Sequence, residues 1–280
     1  MKTAIGIRRL AALAALLTSA LVVMPGHAAP GTKPMKKGFD IVARADGKWL
    51  PSVKALRVHW FYSWGGDKPA GVPRGVEFVP MAWGYYGNKD NGQVQWLAKM
   101  TAQPGVSHFL GFNEPDGKDQ ANLSVESALE GWQYLNQLKI PIGSPAAVHA
   151  DGEWMQKFMQ GAAQKGYRVD FVTIHWYGSA NPQDLLGYLA RVHEMYHRPL
   201  WITEFCPGDW SAGPNHPNRY TAQQVADFMK VVLPAMNKLP YVQRYSWYSA
   251  GVDDYALGKG ALFNKDGSLT DLGHIYAASP

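Results

Sequence analysis

Two glutamates close apolar runs that have the length and composition of β-strands. Glu114 ends the run HFLGFNE, and Glu204 ends the run LWITE. A carboxylate at the end of an apolar strand loses solvation, so it needs a partner or a chemical use to be stable there. We therefore take Glu114 and Glu204 as the candidate catalytic residues.

The two glutamates belong to the fourth and seventh strand-like segments of the chain. In an eight-stranded barrel, carboxylates on such strands approach each other across the mouth, because active sites collect at the carboxyl ends of the strands. A pair about 5 to 5.5 Å apart is what double-displacement glycoside hydrolysis requires. One group attacks as an anion, and the other holds a proton that burial and the neighbouring negative charge favour.

Other polar and aromatic residues stand at the ends of neighbouring runs. His175 and Tyr177 are two positions apart in IHWY and therefore share one face of their strand. Trp247, in RYSWY, is a candidate for a ring beneath a bound sugar. Asn113 directly precedes Glu114, so regular alternation points it away from the site, and an irregular backbone is needed to bring both into one cleft.

Aromatic residues are numerous, with 11 Trp and 14 Tyr among the 280 residues. Trp64, Trp83 and Trp210 close strand-like runs or lie in the loops that follow them. Each ring taken alone fits a large core as well as it fits a binding site. Together they favour a carbohydrate cleft, because flat aromatic faces suit the apolar face of a sugar ring.

The sequence HEMYH at residues 193–197 suggests a second possible chemistry, because it matches the H-E-x-x-H pattern of zinc peptidases. It would place His193 and His197 one helical turn apart as ligands, with Glu194 as the base. However, Pro199 ends the helix almost at once, and no third ligand is evident. We expect an outer helix whose two histidines flank its packed face, and no metal or organic cofactor.

The elements that must position these residues alternate between strand and helix. Strand-like runs occupy residues 37–42, 56–64, 76–83, 108–116, 140–146, 170–177, 199–205 and 242–248, and helical patterns occupy 123–138, 152–166, 182–197 and 221–239. Such alternation predicts parallel βαβ units, and eight of them predict a (β/α)8 barrel. The first two connections are short and rich in Gly and Pro, so we expect missing or abbreviated helices there. Ser124 and Thr221 are expected helix starts.

The first 28 residues have the pattern of a secretory signal peptide: three early cations, an Ala/Leu-rich run and small residues before the expected cleavage site. No later run is long enough for a membrane span. Residues 29–280 are then expected to form a single catalytic domain. Without the three leader cations the formal charge falls from +5 to about +2, and the bases are scattered, which disfavours nucleic acid as a partner. The single Cys206 excludes an internal disulfide and fits a small packing residue.

The sequence resembles the β-1,3-glucanases of glycoside hydrolase family 128, members of the (β/α)8 retaining group called clan A. The matching segments, in order along the chain, are KKGFDI, WFYSWG, VEFVPMAWG, LGFNEPD, IGSPA, VDFVTIHWYG, LWITEF and QRYSWY. The most specific of them are LGFNEPD and the WITEF of the seventh run.

The resemblance implies that Glu114 is the general acid/base and Glu204 the nucleophile. It places Asn113 near the 2-hydroxyl of the reacting sugar, and it makes Tyr177 a candidate to orient Glu204. His175 and Trp247, with Tyr177, would shape the subsite where the bond breaks. It also implies endo action on a β-1,3-glucan of the laminarin or curdlan type. Separately, we expect the protein to be a monomer and, from its leader, to be secreted to the extracellular space or periplasm.

Several alternatives stay open at this level. Another clan A specificity, such as β-1,4-mannan or mixed-linkage glucan, would use the same two glutamates. A transglycosylase would pass the same covalent intermediate to a sugar hydroxyl instead of water. A glucan-binding barrel without activity would keep the aromatic residues but not need both carboxylates.

Overall fold

The computed structural model describes residues 35–87 and 92–280. The predicted leader at residues 1–28 lies outside these ranges, and the single domain predicted for residues 29–280 stays a prediction. The strands are β1 (Lys37–Asp40), β2 (Trp60–Tyr62), β3 (Glu77–Phe78), β4 (Val172–Trp176), β5 (Leu200–Phe205) and β6 (Val242–Trp247). The helices are α1 (Leu50–Leu56), α2 (Gly92–Thr101), α3 (Val125–Leu135), α4 (Glu153–Gln164), α5 (Pro182–Tyr196), α6 (Ala222–Lys238) and α7 (Asp271–Ala278), with a short 3-10 helix at Gly258–Gly260.

The strands form a closed ring. Neighbouring strands follow the order β3, β2, β1, β6, β5, β4, and all of these pairs are parallel. Two short segments, residues 109–110 and 142–143, fill the gap between β3 and β4. Parallel bridges join them to each other and to their neighbours: Met81 to Leu110, Phe109 to Ile142, and Gly143 to Phe171. Eight parallel segments therefore surround one axis, and the predicted (β/α)8 barrel is confirmed.

The four predicted helices are present, and the helices of the first two connections are short or missing, as predicted. Between β1 and β2 the helix α1 has only 7 residues, and residues 63–76 between β2 and β3 contain no helix. Ser124 caps α3 by accepting a hydrogen bond from the backbone of Ser127. Thr221 and Gln224 form a reciprocal capping box at the start of α6, as their spacing predicts. None of the helices in residues 35–87 and 92–280 combines the length and apolar character needed to cross a bilayer.

Two separate apolar clusters fill the molecule. The larger cluster joins strand residues to residues of all seven helices and forms the layer between ring and helices. The smaller cluster contains Trp60, Tyr62, Val79, Met81, Leu110, Phe171 and Trp201. Because none of these seven belongs to a helix, they lie inside the ring, where layers of side chains fill a barrel. Trp64 and Trp83 pack against this inner cluster and lead from it into the mouth of the barrel.

Candidate active site

A cleft with a volume of about 1120 Å³ opens where the barrel strands end. Of the predicted site residues, eight line it: Trp64, Trp83, Asn113, Glu114, His175, Tyr177, Glu204 and Trp210. Its size and its mixture of aromatic and ionisable side chains fit an oligomeric ligand better than a small metabolite. Residues from five different parts of the ring therefore converge on one cleft.

Glu114 reaches the cleft through an unusual backbone conformation. Its φ is +39°, in the region that residues with a side chain rarely adopt, and the following Pro115 restricts it further. Hydrogen bonds over-determine this conformation: the Glu114 N–H donates to Ala146 O at 2.8 Å, and its carbonyl accepts from Gly117 N at 2.9 Å. Such local strain is concentrated at functional sites.

The same irregularity explains why Asn113 and Glu114 share the cleft although they are adjacent. Asn113 keeps regular pairing, with its N–H donating to Trp83 O at 2.9 Å and a parallel bridge to Ala146. Its side-chain Nδ2 donates to Gln120 Oε1 at 3.1 Å. Within the described residues its buried Oδ1 has no hydrogen-bond partner. Asn113 is therefore held by Gln120 and presents an unused acceptor.

Glu204 reaches the cleft through a bulge in β5. Ile202 pairs with Ile174, and Glu204 pairs with His175, so Thr203 is an extra residue between them. Trp201 lies inside the barrel, and strict alternation from it would turn Glu204 towards the outer helices. The bulge reverses the phase and aims Glu204 at the cleft, which is a common use of bulges near active sites.

The Glu204 carboxylate accepts hydrogen bonds from three side chains. Tyr62 Oη donates to Oε1 at 2.9 Å, Trp64 Nε1 donates to Oε1 at 2.7 Å, and Tyr177 Oη donates to Oε2. Burial, and then the charge of Glu204, raise the pKa of Tyr62 and of Tyr177 well above the usual tyrosine value. Both hydroxyls therefore keep their protons and act as hydrogen-bond donors to the Glu204 carboxylate.

His175 connects the two carboxylates through one nitrogen. Its Nδ1 lies 2.8 Å from Glu114 Oε1 and 3.4 Å from Glu204 Oε2. Burial alone would lower the pKa of His175, but the negative charges of Glu204 and Glu114 outweigh it and raise the pKa above the usual value. In the described part of the chain, His175 is the one hydrogen-bond partner of the Glu114 side chain. The two glutamates are thus close together but unequally held.

Glu114, His175 and Glu204 are also the group of potential metal ligands that the described residues bring together, with one donor atom of each lying within 4.8 Å of the others. Glu204 already accepts three N–H or O–H hydrogen bonds, an arrangement suited to holding a free carboxylate. The HEMYH residues lie elsewhere, and His197 stands beyond the end of α5 with a φ of 49°. His193 Nδ1 lies 3.0 Å from Arg198 O, and its ring stacks on Tyr241. This motif therefore does not assemble the helical pair of ligands that zinc peptidases use.

Comparison with known proteins identifies the family. The sequence model of the protein family described as glycosyl hydrolase catalytic core matches residues 39–276. Among solved structures, a family 128 (subgroup I) endo-β-1,3-glucanase from Amycolatopsis mediterranei, crystallised with laminaritriose, is 35% identical in sequence. The match covers 88% of this chain and 100% of that one, with a TM-score of 0.74. The chain belongs to glycoside hydrolase family 128.

Other members of family 128 match with lower identity. A subgroup III curdlan-specific exo-β-1,3-glucanase from Blastomyces gilchristii is 27% identical over 88% of this chain and 100% of that one, with a TM-score of 0.68. A subgroup VII oligosaccharide-binding protein from Trichoderma gamsii is 23% identical, and the match covers 88% of this chain and 95% of that one with a TM-score of 0.67. At this identity the match shows only that the fold is shared. A comparison with curated proteins gave no match.

One residue predicted for the site of this family 128 chain is not in the cleft. Trp247 is fully buried on the outer side of β6, where its Nε1 donates to Gly260 O at 2.8 Å and its ring packs on Phe205 and Tyr276. The prediction that it lies beneath a bound sugar is wrong. The next residue, Tyr248, lines the cleft instead.

The sequence did not point to four further residues of the site. Gln120 and Tyr248 line the cleft, and Tyr62 and Asp40 are buried next to Glu204. Tyr62 carried a usable signal, because it stands two positions before Trp64 and so shares its face of the strand. Gln120 lies in an irregular loop, and no periodicity points to it. Asp40 closes β1 as a buried carboxylate, but that strand, KGFD, has only one large apolar residue, so the signal that identified Glu114 and Glu204 is weaker there.

Proposed function

We propose that this chain is a retaining endo-β-1,3-glucanase that works by double displacement. The observation that carries the proposal is the pair Glu114 and Glu204, which have carboxylate oxygens within 4.8 Å of each other on the same imidazole. Retaining glycosidases have carboxyl groups about 5 to 5.5 Å apart, whereas inverting enzymes need about 6.5 to 9.5 Å to admit a water. The close pair supports retention.

The unequal hydrogen bonding of the two glutamates supports a division of roles between them. Three donors stabilise Glu204 as an anion, so it is the nucleophile that attacks the anomeric carbon. Glu114 has one partner, and its side chain is 15% exposed, so it can hold a proton and pass it to the departing glycosidic oxygen. The bond between sugar and leaving oxygen breaks as the bond to Glu204 forms.

The second step reverses the use of Glu114. Its carboxylate, now ionised, accepts a proton from a water that attacks the same carbon and releases Glu204. The His175 Nδ1–H stabilises Glu114 in this ionised state, 2.8 Å from its Oε1. Water and the leaving sugar act from the same face, so the product keeps its configuration.

The β-1,3 linkage and endo action are supported by the 35% identical relative, which is an endo-β-1,3-glucanase seen with laminaritriose. The cleft supports a polymeric ligand, because its aromatic rings are spread over the loops after β2, β3, β5 and β6. The leader-like first 28 residues support export to the extracellular space or periplasm. We propose a monomer that needs no cofactor.

A product profile tests this function. The purified protein is incubated with laminarin, curdlan, β-1,4-mannan and xylan, and the products are followed over time by chromatography and by the proton NMR signal of the new reducing end. We expect a ladder of laminari-oligosaccharides from the first two polymers and an initial product in the β configuration. Initial α-configured product, release of glucose alone, or cleavage of mannan would contradict the proposal.

A further inference from the structure

The carboxyl group of Asp40 is buried beside the nucleophile without a role in the two chemical steps. Asp40 is the last residue of β1 and has no exposed surface. Among the described residues it forms no ion pair; the hydrogen bonds it accepts include those from the backbone N–H of Ser249, 2.7 Å from Oδ1, and from the hydroxyl of Ser246, 3.3 Å from Oδ2, and the Ser249 side chain also acts on it. A buried carboxyl group without a cation is costly and needs an explanation.

The contact with Ser249 leads directly to the nucleophile. Ser249 follows Tyr248, whose ring packs edge-on against Tyr177 at 5.2 Å and against Trp64 at 6.3 Å between ring centres. Tyr177 and Trp64 are two of the three donors that hold the Glu204 carboxylate. The position of this backbone therefore sets the position of the rings that orient the nucleophile.

We propose that Asp40 is a positioning residue for Glu204 that acts through the backbone at Ser249. Just after β6, the Tyr248 N–H still donates to Phe205 O of β5 at 3.1 Å, and the 2.7 Å hydrogen bond from the Ser249 N–H to Asp40 holds the chain one residue further on. This fixes the ring of Tyr248, and through it the donors of Glu204. The proposal rests on the proposed function only in naming Glu204 as the nucleophile.

The electrostatics explain how such a group is tolerated there. Burial, and then the negative charge of Glu204, raise the pKa of Asp40 well above its usual value, and the hydrogen bonds from Ser249 and Ser246 offset this only in part. Both effects favour the protonated form of Asp40 and so reduce the cost of its burial beside Glu204. Asparagine has the shape of aspartate and keeps an acceptor oxygen for the Ser249 N–H, which makes it the conservative replacement.

The test compares Asp40→Asn with Asp40→Ala and reads the nucleophile's environment directly. In ¹⁵N-labelled protein, the indole N–H signal of Trp64 is assigned with Trp64→Phe and reports the 2.7 Å hydrogen bond to Glu204. We expect this signal to stay in place in Asp40→Asn and to move or broaden in Asp40→Ala. Ser246→Ala, which removes only the 3.3 Å contact, is the control and should leave the signal unchanged.

Kinetics on laminari-oligosaccharides give the second readout. We expect kcat to fall about tenfold or more in Asp40→Ala with little change in KM, because small displacements of a reacting group are costly, and to stay within about threefold of wild type in Asp40→Asn. If Asp40→Ala does not fold, Asp40→Ser replaces it, since its hydroxyl is too short to reach Ser249. An unmoved Trp64 signal in the Ala or Ser variant, or a displaced one in Asp40→Asn, overturns the proposal. Inactive wild type would instead contradict the proposed function and leave the indole measurement valid.

Discussion

The two ends of the barrel treat buried charge in opposite ways. At the amino end, Glu77 accepts from Arg244 at 2.6 Å and from Ser107 at 2.6 Å, and lies 2.9 Å from His108. Burial alone would raise the pKa of Glu77, but the hydrogen bond to His108 and the charge of Arg244 bring it down to about 2. At the carboxyl end, Glu114 and Glu204 share a single imidazole.

The amino end also secures the ring mechanically. The Arg244 guanidinium stacks on Trp201 at 4.1 Å inside the barrel. Lys36 Nζ donates to three carbonyls at the end of α6, and Lys37 Nζ donates to carbonyls at the end of α7, where helix dipoles favour a cation. At the amino end, the buried Glu77 is thus paired with a cation and the lysines bind carbonyl oxygens. At the carboxyl end, two carboxyl groups lie close together on one imidazole. We therefore expect substitutions at the amino end to reduce stability and substitutions at the carboxyl end to reduce activity.

The largest effect is expected for Glu204→Gln. Loss of the nucleophile should reduce kcat on laminarin by about 10⁴-fold or more, as for other residues that form the covalent intermediate. The melting temperature should stay the same or rise, because one of two neighbouring carboxylates is neutralised. Glu194→Gln is the matched control: this glutamate of HEMYH is exposed on α5 and should leave kcat unchanged. Wild-type turnover in Glu204→Gln is incompatible with the assignment.

Tyr177→Phe should show the next largest effect. It removes the hydroxyl that donates to Glu204 Oε2, and loss of one such donor costs about 10²- to 10³-fold in kcat in other enzymes. Steady-state kinetics should place the change in kcat and leave KM within a few-fold. Tyr196→Phe, which removes a hydroxyl bonded to Ala150 O on the helical side, should be active. Equal activity of both variants would mean that the three donors to Glu204 are redundant.

Much of this architecture follows from sequence pattern alone. Apolar runs at regular spacing are sufficient to predict eight strands, and Ser124 and Thr221 predict the helix starts because capping is local chemistry. Strand-end carboxylates identify Glu114 and Glu204 because desolvation is costly wherever the strand lies. These signals depend on a residue and its near neighbours in the sequence, so they can be recognised without knowing the tertiary structure.

The sequence does not determine which residues of a strand face the inside of the barrel and which face the helices. Barrel strands are buried on both faces, so apolar residues stand on either side and hydrophobicity does not tell inside from outside. The sequence therefore does not distinguish Trp247 from Tyr248 as the residue that faces the cleft. The bulge at Thr203 and the backbone of Glu114 set the phase, and both depend on pairing with neighbouring strands.

At the amino end, Glu77→Gln should reduce stability and leave the chemistry alone. Breaking a buried ion pair from one side costs about 3 kcal/mol, because Arg244 is left without its partner. Urea denaturation measures the loss, and kcat of the folded fraction should be unchanged. Asp46→Asn is the control, since the pair of Asp46 with Lys48 is exposed and such pairs contribute little.

The same variant should also change the pH dependence of stability. Glu77 has a pKa of about 2 in the folded protein against an ordinary value of 4.5. Its contribution is present above pH 4.5 and is lost as the pH falls towards 2, because the unfolded chain then binds the proton first. The wild type should therefore lose up to about 3 kcal/mol more than Glu77→Gln over this range. Parallel curves would show that the amino-end cluster does not hold Glu77 ionised.

The smallest effect, Trp247→Phe, tests which face of β6 belongs to the cleft. It removes the hydrogen bond to Gly260 O and leaves a small void beside Phe205, which together cost about 1 to 3 kcal/mol of stability. KM for laminari-oligosaccharides should not change, because the ring lies behind the strand. Trp132→Phe is a fair comparison, as its buried indole N–H also donates to a carbonyl, Arg168 O at 2.9 Å. A several-fold rise in KM for Trp247→Phe alone would place this residue on the substrate side and contradict its position on the outer side of β6.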